Sequence, residues 1–359
     1  MKRVSKVLRH VAVGFVVACA FVPMHFATAH AAEQGFSLQV SPSPLVTTVR
    51  PGTNTVLELQ IRNTNTTTQA LKMGLRPFTV NETTEQVSLG DNPSQAIQQL
   101  VRFEEPTFTL QAGQIFTQRI HINTTSDAAF TYNFAVTIAQ QNPPKAAKGT
   151  SAIAGSVAVF TLVNVDRPGA VRQFSLKSVS LSKRTYEYLP ASVSIKLKNT
   201  GNTDVQPTGT VFIQRHSSDT VPLATLALNK DGGFIIPGTT RTFVAEWDDG
   251  FPHYETVTEP DGTKKQKLVW KGGISKLRMG RYVAKVVAVY NDGQRDTPVM
   301  AELSFWVIPW RMLLCLLLII IVLIIGVIVI LRSFGRAVGA TSRKVRRSKK
   351  ASHQDDTKP

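Results

Sequence analysis

Hydrophobic and polar residues alternate along most of this chain, with the period of two that is typical of half-buried β-strands. Leu57, Leu59 and Ile61, for example, alternate with charged or amide side chains. The same pattern recurs in the segments 71–76, 132–138, 157–161 and 193–198. Turn residues such as Pro51-Gly52 separate these runs, and only residues 92–101 predict a short helix among them. The pattern therefore predicts an all-β fold.

One strand pattern occurs twice, which predicts two copies of one domain. Residues 57–64 read Leu-x-Leu-x-Ile-x-Asn-Thr, and residues 193–200 read Val-x-Ile-x-Leu-x-Asn-Thr. In each half a tight turn follows, at Gly113 or Gly238, and then an aromatic-led strand from Tyr132 or Tyr282. Strands at this spacing suit tandem immunoglobulin-like β-sandwiches. We predict one sandwich over residues 32–166 and a second over 167–308, divided at Asp166-Arg167-Pro168-Gly169.

The alternation ends at a continuous apolar segment, Met312 to Leu331, which lies between Arg311 and Arg332. Twenty helical residues span about 30 Å, the thickness of a bilayer's hydrocarbon core. The tail 332–359 is basic, and clustered Lys and Arg beside a span stay on the cytoplasmic side. The sequence therefore predicts a single-pass type I protein of the cell membrane, with extracellular sandwiches, a transmembrane helix at 312–331 and a cytoplasmic tail.

A second apolar run, from Val11 to Val22, follows four basic residues near the N-terminus. Ala29-His30-Ala31 then matches the small-residue pattern of a secretory cleavage site. We predict a signal peptide over residues 1–31, with an uncleaved anchor as the alternative.

Composition and charge narrow the class of protein further. The only cysteines are Cys19 and Cys315, in the predicted leader and span, so the exported sandwiches contain no disulfide and depend on packed cores. We interpret the chain as a bacterial cell-envelope protein. The net charge of +17 is concentrated at the leader and the tail, so it is a topology signal and does not predict nucleic-acid binding.

The sequence offers no set of residues for catalysis or metal binding. His121, His216 and His253 are far apart and lack metal-ligand spacing. Hydrolase, phosphate-loop and zinc-protease motifs are missing from the sequence. We therefore expect a protein that is not an enzyme, with no catalytic residues, metal or cofactor.

A segment from Trp247 to Gly272 departs from the sandwich pattern and predicts an inserted β-hairpin, with its turn at Pro260-Asp261-Gly262. Aromatic residues are enriched in the centres of protein interfaces, so this hairpin is a candidate partner-binding element. The candidate residues are Phe251, Tyr254, Lys264, Lys265, Lys267 and Trp270. We expect Trp247 to fill the core, and leave Trp270 open between core and interface. The candidate membrane-interface residues are Trp306, Trp310, Arg311 and Arg332.

The order of leader, two sandwiches, single span and basic tail resembles the WxL-interacting proteins of Gram-positive cell surfaces. The resemblance also includes residues 36–42 (Phe-Ser-Leu-Gln-Val-Ser-Pro), Pro51-Gly52 before the strand ending at Asn63, and Leu110-x-x-Gly113. It implies a peptidoglycan-binding sandwich followed by a second sandwich, and a role in holding surface proteins and wall polymer near the membrane.

Together these observations predict a membrane-anchored envelope protein whose sandwiches bind a surface protein or a cell-wall glycan such as peptidoglycan. The alternative is a structural or chaperone-like scaffold in which a sheet edge accepts a strand from a client protein.

Overall fold

The computed structural model describes residues 36–142 and 155–351, with side chains up to Arg332. The predicted class, immunoglobulin-like β-sandwiches with one C-terminal apolar helix, is confirmed. The predicted signal peptide lies outside the described residues.

The first sandwich contains two sheets that cover one core. Its elements are β1 (Leu38–Ser41), β2 (Leu45–Val49), β3 (Asn54–Asn63), β4 (Gln69–Val80), β5 (Val87–Leu89), α1 (Gln95–Leu100), β6 (Val101–Phe103), β7 (Thr107–Leu110), β8 (Ile115–Asn123), β9 (Thr131–Gln140) and β10 (Ser156–Val165). One sheet has the order β1-β3-β8-β6; the other has the order β2-β10-β9-β4-β5, and β7 also pairs with β4.

The second sandwich repeats this plan. Its elements are β11 (Phe174–Leu181), β12 (Thr185–Tyr186), β13 (Ala191–Asn199), β14 (Thr208–Gln214), β15 (Ala224–Ala227), β16 (Thr240–Trp247), the hairpin β17 (His253–Thr258) and β18 (Lys264–Val269), a 3₁₀ turn (Ile274–Lys276), β19 (Gly280–Asn291) and β20 (Asp296–Val307). The two main sheets have the orders β11-β13-β16 and β12-β20-β19-β14-β15. In both sandwiches the opening segment changes sheets, because β2 and β12 pair in parallel with the last strands, β10 and β20.

Each sandwich has its own buried hydrophobic cluster among the described residues. In the first, Leu59, Ile61 and Phe134 are fully buried between the sheets, because the alternation places them all on the inner face. In the second, Trp247 packs edge-on against Tyr282, with 5.0 Å between ring centroids. Trp247 is buried, so the prediction that it fills the core is confirmed.

The repeated Asn-Thr motif has the same structural role in both sandwiches. The Nδ2 of Asn63 donates to the carbonyl oxygens of Thr67 (2.8 Å) and Leu110 (3.1 Å). The Nδ2 of Asn199 donates to those of Thr203 (2.8 Å) and Ile235 (2.7 Å). Both asparagines are fully buried. Each therefore ties the end of its strand to the backbone of two neighbouring segments.

The repeated tyrosine also makes equivalent contacts. The hydroxyl of Tyr132 accepts a hydrogen bond from the backbone N–H of Ala129 (2.9 Å), and that of Tyr282 accepts one from Met279 (3.1 Å). A tyrosine that bonds back to the chain just before its own strand is a feature of immunoglobulin-like sandwiches. The sequence repeat is thus a repeat of fold and of local bonding.

Helix α2 (Trp310–Ala351) follows β20 after two residues. Its segment Trp310–Arg332 is long and apolar enough to cross a membrane, and its side chains are exposed. The two ends of the second sandwich therefore have different neighbours. The linker enters at the end where β11 begins; β20 ends and α2 begins at the opposite end, which we call the helix end.

Candidate functional site

The last strand of the first sandwich, β10, is only half covered at the sheet edge. Strand β2 pairs with residues Thr161 to Val165, whereas the preceding residues of β10 pair only with β9 among the described residues. The N–H of Val165 donates to Phe130 beside β9, and the N–H of Asp166 donates to Val49 of β2. Backbone groups alternate along a strand, so those of the even-numbered residues face the β2 side.

It follows that Ser156 and Ala158 present their backbone N–H and C=O groups, and Phe160 its N–H group, to an edge that no described strand occupies. We call these residues the β10 edge. A row of unpaired backbone groups is a template for adding another strand. The side chains on this edge are neutral.

The equivalent edge of the second sandwich is protected. Strand β12 covers only Trp306 and Val307 of β20, and the N–H of Trp306 donates to Arg184. The backbone N–H and C=O groups of the even-numbered residues of β20 therefore point away from β19, toward the free edge of the sheet. These residues include Pro298 and Glu302. Proline has no N–H to donate, and proline and charge on an edge both discourage pairing. The β10 edge has neither feature.

A cleft of about 500 Å³ lies between the two sandwiches, next to the covered half of β10. Its walls include the outer face of the β10 sheet and the loops before and at the start of β16. The main lining side chains are Phe78, Phe160, Leu162, Phe234, Ile236 and Arg241. Phe78 and Phe160 pack edge-on, with 5.0 Å between ring centroids. Phe160 therefore belongs to both the β10 edge and the cleft.

One wall of this interdomain cleft is held by Glu85, in the turn between β4 and β5. The carboxylate of Glu85 accepts hydrogen bonds from the backbone N–H (2.8 Å) and the hydroxyl of Thr242 in β16. Glu85 has φ of 58°, a left-handed conformation that is uncommon outside glycine. The turn is stabilised by Asn81, whose Oδ1 accepts the N–H groups of Thr83 and Thr84. The strained residue is thus the one that contacts the second sandwich.

A second contact between the sandwiches centres on Asp204. Its carboxylate accepts hydrogen bonds from the Thr131 hydroxyl (2.8 Å) and the Asn133 amide (2.9 Å) of β9. Its backbone N–H donates to Asn164 of β10 (2.9 Å). Burial raises the pKa of Asp204 to about 6, although the bonds from Thr131 and Asn133 act in the opposite direction. Together Asp204 and Glu85 fix how the sandwiches meet.

The linker reinforces this arrangement. Asn202 accepts a hydrogen bond from the N–H of Val171 (2.7 Å) and donates to the carbonyl of Gly169 (2.9 Å). The guanidinium of Arg167 lies over the Phe130 ring, 5.2 Å from its centroid. The linker is therefore bound to both sandwiches.

The hairpin predicted from the sequence is present as β17 and β18, at the helix end and away from the cleft. The candidate aromatics make internal pairs: Phe251 with Trp270 (5.8 Å between centroids) and Tyr254 with Tyr188 (5.9 Å). Trp270 nevertheless remains mostly exposed. The candidate lysines Lys264, Lys265 and Lys267 are all exposed, and Lys265 pairs with Glu259. Their role in partner binding stays a prediction.

The predicted membrane-interface residues lie where the second sandwich meets α2. Trp306 and Trp310 are about half exposed. Arg311 lies over the Trp310 ring and 3.6 Å from the carboxylate of Glu187, which is mostly buried. Arg332 is the last residue of the apolar segment. These positions fit the predicted interface, and the orientation across a membrane stays a prediction.

Within residues 36–142 and 155–332, no cluster of three His, Cys, Asp or Glu side chains could hold a metal ion. Asp249, in the loop after β16, pairs with Lys276 and Arg278, both at 2.7 Å. These hydrogen-bonded partners lower the pKa of Asp249, Lys276 having the largest effect.

Comparison with known proteins gives no family and only distant structural similarity. No protein-family model and no curated protein matches the chain. Among solved structures, a chaperone–tip adhesin complex of CFA/I fimbriae biogenesis is 12% identical, with a TM-score of 0.36 over 75% of this chain and 98% of that chain. The class 5 fimbriae chaperone CfaA is 12% identical, with a TM-score of 0.35 over 76% and 100%. The CupB2 chaperone of Pseudomonas aeruginosa is 11% identical, with a TM-score of 0.34 over 74% and 100%. Likeness at this level assigns neither a function nor a site to this chain.

Proposed function

We propose that this chain is a membrane-anchored envelope protein that binds an extended segment of a partner protein at the β10 edge. The edge that no described strand pairs with carries the proposal, because the matching edge of β20 is blocked by Pro298 and Glu302, whereas the β10 edge has no such residue. This favours the strand-accepting scaffold over the wall-glycan ligand that was also expected from the sequence.

The geometry sets the length of the bound segment and the side of the sheet that its side chains meet. Four to five residues fit beside 156–160 before Leu45 begins to pair with Thr161. Side chains of an added strand alternate between the two faces of the sheet. The side chains on the outer face lie on the same face of the sheet as Phe160, which lines the cleft. The phenylalanine and isoleucine side chains of the cleft favour an apolar residue at that position. Backbone bonding then supplies general affinity, and the cleft supplies selectivity.

The test is a selection of random ten-residue peptides against the full chain in lipid nanodiscs, followed by binding measurements on variants. Ala158→Pro removes one N–H from the β10 edge without touching the pairing with β9. We expect the selected peptides to lose affinity by about tenfold, equal to about 1.4 kcal/mol.

Leu89→Pro is the matched control. The N–H of Gly90 donates to Pro77 in β4, so that of Leu89 points away from β4, on the edge strand β5. Peptides should bind this variant as they bind the unmodified chain. Equal binding to the Ala158→Pro variant, or retention of purified peptidoglycan in place of peptides, would contradict the proposal.

A further inference from the structure

The helix end of the second sandwich exposes large apolar side chains next to the start of α2. Among the described residues outside the apolar helix, the two most exposed large hydrophobic side chains are Val221 and Ile274, each 79% exposed. Both lie at this end: Val221 in the loop after β14, and Ile274 in the turn before β19. Trp270, at 60%, and Met279 are also exposed there. Exposed apolar groups in one region mark an interaction surface.

Strand register fixes the level of this surface relative to α2. Gly280 pairs with Val307, and Arg281 pairs with Trp306. Met279 is therefore at the level of Ile308, two residues before α2 begins at Trp310. Residues 270–281, which we call the 270–281 loop, thus lie beside the point where the chain enters its apolar helix.

The 270–281 loop combines apolar and basic residues. It contains Lys271, Lys276, Arg278 and Arg281 and no acidic residue. Lys276 and Arg278 both pair with Asp249, so they anchor the loop to the sandwich. Lys271 has no ion pair among the described residues, and Arg281 only donates to the Ser304 hydroxyl (3.3 Å). Aromatic, apolar and basic residues in one segment are typical of membrane interfaces.

Backbone hydrogen bonds also hold the loop in one conformation, so its apolar tip is exposed without any conformational change on binding. The N–H of Lys276 donates to Gly273 and that of Leu277 to Ile274, both at 2.9 Å. The N–H of Phe251 donates to the carbonyl of Lys276 at 2.9 Å. The side chain of Ile274 therefore projects from a turn with fixed backbone bonding and is largely exposed.

We infer that the 270–281 loop inserts into the headgroup layer of the phospholipid bilayer that α2 spans, on the side of the sandwiches. The bilayer is the occupant because the surface is continuous with α2 at Trp306 and Trp310. In addition, Lys271 and Arg281, which form no ion pair among the described residues, complement anionic lipid headgroups. The second sandwich is then fixed on the membrane by two attachments, the helix and the loop. This inference rests on the membrane anchoring in the proposed function and is independent of the β10 edge.

The test places a bimane label at single cysteines of the full chain, in a Cys19→Ala, Cys315→Ala background. The chain is reconstituted into phosphatidylglycerol-containing nanodiscs with or without brominated acyl chains, which quench the label. The cysteines are Ile274→Cys, Val322→Cys in the middle of the span, and Ile115→Cys, an exposed residue at the far end of the first sandwich.

We expect strong quenching at Val322, none at Ile115, and at Ile274 about a third of that at Val322, since interfacial groups lie roughly 5–10 Å into the headgroup boundary. Quenching at Val322 without quenching at Ile274 would overturn the loop insertion alone. A blue-shifted but unquenched label at Ile274 would indicate a protein contact and would also overturn it. An unquenched Val322 would refute the anchoring itself, and the loop insertion with it.

Discussion

Asp204 provides a pH-dependent test of how the two sandwiches are joined. Burial between β9 and the loop before β14 raises its pKa from 3.8 to about 6. Because the folded pKa is raised, the folded protein binds this proton more tightly than the unfolded chain does. The resulting stabilisation is fully present below pH 3.8, declines as the pH rises, and is lost above about pH 6.

The difference between the two pKa values corresponds to about 3 kcal/mol, at about 1.4 kcal/mol per pKa unit. Most of it, about 2 to 3 kcal/mol, should appear between pH 8 and pH 4. In the Asp204→Asn variant this part of the pH dependence should be missing, because an amide does not titrate. The amide oxygen can still accept one of the two hydrogen bonds from Thr131 and Asn133, so the interface should be retained.

The assay is urea unfolding of the full chain in detergent micelles, followed by circular dichroism at steps between pH 4 and pH 8. Other carboxylates titrate in this range, so the quantity of interest is the difference in unfolding free energy between the unmodified chain and Asp204→Asn. Asp231→Asn, which changes an exposed carboxylate beside the cleft, is the control and should leave the profile unchanged. Parallel pH profiles for the unmodified chain and Asp204→Asn would refute the reasoning.

Four further substitutions test the packing that supports the site. Asn63→Ala and Asn199→Ala should each destabilise the sandwich concerned by about 2 to 4 kcal/mol in urea unfolding, because each removes at least two hydrogen bonds from a buried amide to backbone carbonyl groups. An effect below about 0.5 kcal/mol, the range of surface changes, would contradict this. Gly155→Ala should displace Phe36, which occupies the space of the new methyl group, and raise amide exchange at the start of β10; unchanged exchange would oppose this packing. Trp247→Ala should cost about 3 to 5 kcal/mol, and a small effect would place the indole outside the core.

The fold could be predicted from the sequence because its signals are local and repeated. The alternation through Leu59 and Ile61 defines an inner face, and a strand period is visible over a few residues. Asn63 and Asn199 recur because in each sandwich the asparagine amide bonds to backbone carbonyl groups at the equivalent place. Tyr132 and Tyr282 recur because each hydroxyl accepts a backbone N–H just before its own strand. The aromatic hairpin was visible as well, since its turn residues interrupt the strand pattern.

The cleft and the β10 edge could not be predicted in the same way. Among the described residues, the edge lacks a partner strand because β2 begins at Leu45, opposite Thr161, and the alternating pattern does not specify where two strands start to pair. The cleft depends on how two domains meet, through Glu85 and Asp204, which look like ordinary loop residues in the sequence. One signal was available: Pro298 lies in the last strand of the second sandwich, and the first has no equivalent proline.

The measurement that tests the central claim most directly is residue-resolved amide hydrogen exchange along β10 in the full chain. The account predicts alternation: the N–H groups of Ser156, Ala158 and Phe160 exchange rapidly, while those of Val157 and Val159, bonded to β9, are protected. Addition of a selected peptide should protect the even-numbered residues as well. Uniform protection of residues 156–160 before any peptide is added would contradict the account, because the edge would then already be occupied.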